Sequence, residues 1–443
     1  PIATRPSSWG MRLRRKFSVR LRIIANPHPT QSGFWRQPEA PSHDGPGNPR
    51  VSYFLASDDS PVAENSPRWH MPLPLGPAGV DQSGEPVAGA VVTYGDYFTA
   101  VHRFLEGEGF SALVGALRKS VGPSVTAADV GTVRIYLEKH GQFYHPARVA
   151  VAVANTRLAF VVNVAVTKIG RSYLREDFGN IRLLNDRFPY RFLPQVYCTG
   201  EATLPGRSRR LEMFLGEWLD GYHEFHLSGE PAGTNSRLVV WDPVKGAHLL
   251  SKQQRVDIYR QIALILTAYY DLETFEQIFS WHNAAGDFIV KTDGGQIDLR
   301  LITVRKYAPL FADVSGDVDT TLQALLIFWL NLSIRIRLDR FDGVGEFGCA
   351  DDDMVDAALN GFFDGLALQV RFGRIPKELP DLFAGYLKAL APDDRDTLLE
   401  GVAGRLKCHP SEKALIRKHL KRHGEKMTQA IDRLPQELIV STR

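Results

Sequence analysis

Three side chains in the C-terminal half combine proton, metal and phosphate chemistry at short spacing: His282, Asp287 and Arg305. A neutral imidazole, with a reference pKa of about 6.5, accepts a proton near pH 7. A carboxylate is a hard ligand for magnesium or calcium. A guanidinium stays charged and matches phosphate bidentately. His282 and Asp287 lie five residues apart in Trp281-His282-Asn283-Ala284-Ala285-Gly286-Asp287, just before the apolar strand pattern Phe288-Ile289-Val290. Asp293-Gly294-Gly295 then signals a hairpin turn. With Asp287 opening the first strand, the residue level with it on the return falls near 301–303, in Leu301-Ile302-Thr303-Val304-Arg305. Asp298 leaves the turn too early and sits roughly 10–16 Å up the ladder at about 3.3 Å per residue. The pattern therefore offers one carboxylate, the hydroxyl of Thr303 and a nearby cation.

Other chemistry-bearing clusters carry less. Tyr222-His223-Glu224-Phe225-His226 spaces its histidines three apart, not in the H-E-x-x-H pattern, and supplies no third metal ligand. Asp351-Asp352-Asp353 precedes an apolar periodic stretch and reads as a helix N-terminus. Cys198, Cys349 and Cys408 are too far apart for a zinc site or a disulfide framework, so a reducing cytoplasm is the expected location. No G-x-S-x-G elbow is present, which removes a serine hydrolase.

Composition bounds the elements that must position these residues. Hydrophobic residues make up 44% and charged ones 23% of 443 residues, enough for an ordinary core. The net charge of +3 is too small to favour nucleic acid as a partner. The most apolar run, Ala324–Leu332, is far below the roughly 20 residues of a membrane span, so no transmembrane segment is expected. Residues 1–90 are rich in Pro, Ser, Gly and Asn and read as a disordered or loosely packed extension. Its first 38 residues hold basic residues and no acid, the composition of an arm for nucleic acid or anionic membrane.

Helical spacing over 94–116 marks a lead-in, 91–128. Strand patterns follow at Thr132–Leu137, Arg148–Ala154 and Leu158–Val166, then a helix at Leu174–Asn185 and strands at Val196–Thr199 and Leu211–Leu215. Beyond Gly221 the pattern turns helical, with Gln253–Asp271 the clearest case. A β-rich first half and an α-rich second half argue for an α+β protein.

That order, with Phe214-Leu215-Gly216-Glu217-Trp218-Leu219-Asp220-Gly221 as a strand running into a hinge, resembles the two-lobed protein-kinase-like fold, and most closely its aminoglycoside-phosphotransferase branch. The resemblance implies a β-rich N-lobe over 129–215 and an α-helical C-lobe over 216–435. It implies ATP and magnesium as cofactors, with adenine held by the hinge around Glu217. It puts His282 at the place of the catalytic aspartate, Asp287 at the metal-binding asparagine and Thr303 at the second metal carboxylate. It puts Asn163 where the phosphate-neutralising lysine belongs, with Lys168 as a substitute from the strand end and Glu176 as the helix glutamate. Arg305 would then meet phosphate directly. Asn163 cannot neutralise phosphate, and threonine is a poor magnesium ligand.

Three functions follow as expectations. The first is a catalytically degenerate, pseudokinase-like regulatory or ligand-binding protein, whose partner is another protein or a small molecule. The second is an atypical small-molecule phosphotransferase using His282 and Asp287. The third is a nucleic-acid- or membrane-associated protein acting through residues 1–38.

Overall fold

The computed structural model describes residues 49–56, 60–74, 91–141, 143–154, 156–204, 210–229, 237–279, 281, 286–309, 317–343, 345–406 and 408–435. The first half is built on one sheet. Its strands are β1 (Arg50–Leu55), β2 (Val130–Leu137), β3 (His145–Val153), β4 (Thr156–Ala165), β5 (Val196–Thr203) and β6 (Arg210–Glu217), in the order β1-β2-β3-β4-β6-β5. β1 runs parallel to β2, and the other neighbours are antiparallel. Along β3, buried and half-buried residues alternate without a break, so one face of the sheet is continuously apolar.

Helix α1 (Tyr94–Ser120) covers that face. Its Phe98, Val101, Leu105, Leu113 and Leu117 share a core with Val133, Ile135, Val149, Val162 and Met213. Each such side chain favours folding by about 1.5–3 kcal/mol when fully buried. Thr93 and Asp96 cap the helix reciprocally, each side chain accepting from the other's backbone N–H. Helix α2 (Lys168–Arg187) lies on the opposite face, where its Leu174 packs with Ala165 and Phe214.

The extension expected over 1–90 contributes to this sheet. Residues 50–55 form β1, and Phe54, Val62 and Leu73 are buried. The stretch is short and follows a Pro-rich segment, so local pattern hides a strand that long-range pairing stabilises. The basic residues 1–38 lie outside the described residues.

The second half has its own apolar core. Its elements are β7 (Glu224–Ser228), β8 (Arg237–Asp242), β9 (Gly246–Leu249), α3 (Lys252–Ala268), β10 (Glu276–Phe279), β11 (Phe288–Asp293), β12 (Gln296–Leu301), β13 (Lys306–Pro309), α4 (Val318–Arg335), β14 (Leu338–Arg340), β15 (Phe347–Cys349), α5 (Met354–Arg371), α6 (Leu379–Ala389), α7 (Pro392–Arg405) and α8 (Pro410–Asp432). The helical reading beyond Gly221 thus needs three corrections. Residues 224–249 form a three-stranded sheet, β7-β8-β9, β10 pairs antiparallel with β13, and β14–β15 is a hairpin between α4 and α5. Phe225, Leu227, Leu238 and Val240 are buried at every second position, a period-2 signal too short to stand out. Among the described residues no helix is long and apolar enough to cross a membrane. The three cysteines are unbridged.

Helices α3 and α5 form the centre of this half, and glycine sets their separation. A Cβ on Gly361 would lie 2.0 Å from the carbonyl oxygen of Arg260, and one on Gly365 2.6 Å from Cβ of Thr267. Replacing a helical glycine with alanine normally stabilises by about 1 kcal/mol. Here the clash reverses the sign, because overpacking costs about 1–3 kcal/mol and the obstacle is backbone. We expect Gly361→Ala to lower the chemical-denaturation midpoint. Gly385→Ala in α6, where a Cβ meets nothing within 4 Å, should raise it. A stabilised Gly361→Ala would show that the helices do not depend on this contact.

Candidate functional site

Asp287 stands at the foot of the β11–β12 hairpin. Phe288 pairs with Leu301, and the Asp287 carbonyl accepts from the Ile302 N–H at 2.8 Å. That register brings the Thr303 hydroxyl to Oδ1 of Asp287, which accepts from it at 2.7 Å. Arg305 closes the other side. Its Nη1 donates to Oδ2 at 2.7 Å and its Nη2 lies 2.5 Å from Oδ1. The Asp287 carboxylate is fully buried, and Arg305 keeps 18% of its side-chain surface. Burial works against the guanidinium charge, yet Asp287 outweighs it and lifts the arginine pKa above its usual range. Asp298, by contrast, is level with Lys291 and accepts from the Tyr222 hydroxyl at 2.6 Å.

A second buried carboxyl backs this pair. Asp177 of α2 accepts from the Tyr144 hydroxyl at 2.7 Å and from the Val304 N–H. It therefore ties the helix to the segment between Thr303 and Arg305. Burial pushes its pKa up to about 6, against the lowering pull of those donors and of Arg305. Tyr144 comes from the β2–β3 connection, and so does Phe143, whose ring lies 5.7 Å from the guanidinium carbon of Arg305 and 4.2 Å from the Tyr173 ring. In the same connection, Lys139 pairs with Glu224 of β7. Although 43% of the Lys139 side chain stays accessible, surrounding protein crowds its ammonium and lowers its pKa to about 8.

The residues singled out from sequence divide accordingly. Asp287, Thr303 and Arg305 come together. Asn163 lies on β4 level with Pro146 and Phe214, half-buried on the α2 side of the sheet. Lys168 and Glu176 do not pair: both are exposed on α2, and Glu176 accepts instead from Ser172 at 3.3 Å. The buried face of α2 is Leu174, Asp177, Ile181 and Leu184, so helical geometry turns Glu176 outward and Asp177 inward. An acid in register with that apolar stripe was the available signal for Asp177. Glu217 ends β6, and its carboxylate accepts from the Gln195 N–H at 3.0 Å. His282 lies outside the described residues. Lys139 and Tyr144 had no sequence signal, since a connecting turn says nothing of where its side chains land; Glu224 stood in the Tyr222–His226 cluster, whose pattern gave no hint of Lys139.

Among the described residues the donor set does not fit magnesium. Hard-cation sites gather several oxygens with net negative charge. Here both oxygens of Asp287 face a guanidinium, and Thr303 adds only a neutral hydroxyl. Among the described residues no group of three His, Cys, Asp or Glu side chains is arranged to hold a metal ion. Comparison with family models and with curated proteins finds no match for this chain.

Removing one partner of a buried ion pair costs about 3–5 kcal/mol, because the other is left uncompensated. Asp287→Ala should lose that much stability in urea melts. Asp287→Ala with Arg305→Met should be more stable than the sum of the two single changes, by about 1–3 kcal/mol. Additive losses would show that the pair is not coupled.

Asp177 makes a pH prediction. A carboxyl with a folded pKa of about 6 and an ordinary value of 3.8 binds more protons folded than unfolded between those pH values. Its contribution is therefore fully present below pH 3.8 and is lost as pH rises toward 6. Asp177→Asn should remove a fall in stability on the order of 3 kcal/mol across that window. An unchanged pH profile would contradict the shift.

Proposed function

We propose that this protein is a two-lobed, protein-kinase-like protein near the aminoglycoside-phosphotransferase branch, acting as a regulatory or ligand-binding protein without transferring phosphate. The fold reading is supported by the strand order β2-β3-β4-β6-β5, with α2 between β4 and β5, by separate cores in the two halves, and by a hairpin carrying Asp287 after α3. One observation carries the functional reading. Arg305 neutralises Asp287 bidentately where the resemblance calls for a metal ion. Among the described residues, a divalent cation would have to displace the guanidinium from Asp287, with no group of three His, Cys, Asp or Glu side chains to hold it. Catalysis of phosphoryl transfer rests largely on metal-borne charge at the phosphates.

β4 carries no lysine. Asn163 offers no charge, and Lys168 points to solvent. Of the two requirements of transfer, the metal place meets an internal ion pair and β4 supplies no cation for the phosphates.

Purified protein should release no ADP from magnesium ATP above background across a panel of sugars, amino alcohols and peptides. A thermal shift with a nucleotide or a protein partner should nonetheless be measurable. Magnesium-dependent turnover that disappears in Asp287→Asn would overturn this reading.

A further inference from the structure

The β8–β9 hairpin presents an apolar face beside an unguarded sheet edge. Register places Val239 and Trp241 of β8 level with Leu249 and Ala247 of β9, all four on one face. The alternate residues Leu238 and Val240 turn into the core. Trp241 keeps 43% of its surface and Leu249 55%, and Val244 in the turn between the strands keeps 90%. Ten large hydrophobic residues are exposed among the described residues, and three of them fall on this one hairpin, so the patch is a concentration and not scatter.

The backbone of β9 is exposed with them. The Leu250 N–H donates to the Leu238 carbonyl at 2.9 Å, so the hydrogen-bonded pairs with β8 fall at 238/250, 240/248 and 242/246. The N–H and C=O groups of Ala247 and Leu249 therefore point away from β8, along the open side of the strand. Edge strands are usually guarded by charge or proline, and Gly246-Ala247-His248-Leu249 holds neither. The hairpin is also held in shape. Asp242 accepts from the Val244 and Lys245 N–H groups at 2.8 and 2.9 Å, which fixes the turn. The Trp241 ring packs 4.6 Å from that of His226. Exposed cations flank the patch, Arg237 at one end and Lys245 at the other, and among the described residues neither forms an ion pair.

We propose that the β9 edge is a docking site for an extended segment of a partner protein, with apolar residues at alternate positions and an acidic residue at each end. The segment adds a fourth strand to β7-β8-β9. An antiparallel partner is favoured, because that ladder is the stronger. Backbone bonds to Ala247 and Leu249 supply affinity, and the face of Val239, Trp241 and Leu249 selects apolar side chains. Charge complementarity sets the ends. Arg237 is level with position 251, six residues from Lys245, a span of roughly 20 Å at about 3.3 Å per residue. An acid at each end of a seven-residue strand meets both cations. This surface is defined by strand register alone and is independent of the kinase-like reading.

The probe is the amidated peptide Asp-Thr-Val-Thr-Val-Thr-Asp with a fluorophore on its N-terminus, titrated with the full chain by anisotropy. Its acids and valines share one face. Wild type should bind it. N-methylation of both valines should abolish binding, because in antiparallel register their N–H groups face β9. N-methylation of the central threonine, whose N–H points outward, should leave affinity unchanged. Lysine in place of both aspartates should weaken binding about fivefold, a loss that shrinks in high salt. Ala247→Pro removes an edge donor without touching a bond to β8, and should abolish binding while the melting curve stays close to wild type. If that variant unfolds, the N-methylated peptides still decide, since they leave the protein unchanged. No binding by wild type, or equal losses from the two N-methylations, would overturn the proposal. So would a wild type that dimerises in sedimentation, loses the dimer in Ala247→Pro and ignores the peptide, which assigns the edge to a second copy of the chain.

Discussion

The buried pair of Asp287 and Arg305 is the constraint on which the surrounding polar cluster depends. A carboxylate with no solvent exposure is stable only when its charge is met, and Arg305 meets it with two donors. Thr303 fills a remaining lone pair on Oδ1. Because these partners follow β12, the hairpin has to return in one register, and a slip of a single residue would turn Thr303 away. The pair fixes the hairpin, and the hairpin fixes where Thr303 and Arg305 stand.

Asp177 extends this constraint into the first half. Its bonds to Val304 and Tyr144 join α2, the residues after the hairpin and the β2–β3 connection at one buried point. Two acids and one guanidinium then share a small volume, and burial of Asp177 is resolved by raising its pKa rather than by adding a cation. The polar interior is organised around charge that is already balanced. Among the described residues, charge balanced in this way leaves little net negative charge for a divalent metal.

The helical half shows how packing carries the same logic without charge. Gly361 and Gly365 bring α5 against the backbone of α3, so the helix leading toward Asp287 is held on one side by its closest neighbour. The first half uses α1 instead, covering a sheet face that alternation makes apolar. Each half is a separate solution to burying apolar surface, and the polar residues that matter lie between them.

The sequence by itself determined the α+β class, the β2–β4 meander, a helix read as Gln253–Asp271 and found at Lys252–Ala268, and the hairpin turn at Asp293–Gly295, because period, turn chemistry and length are local properties. It also placed the return level with Asp287 near 301–303 rather than at Asp298, since strand rise is constant; the observed register sets Ile302 opposite Asp287, and Thr303, one residue on, meets its carboxylate. It could not distinguish Glu176 from Asp177, which differ by one residue and by the face of a helix they occupy. It missed β1 and the β7–β9 sheet, whose stability comes from distant partners rather than from their own short patterns. Only the tertiary structure decided that Arg305 neutralises Asp287 and that Lys139 from a remote turn reaches the residue before it. Those contacts join segments about 18 and more than 140 positions apart along the chain, a separation at which neither propensity nor spacing carries information.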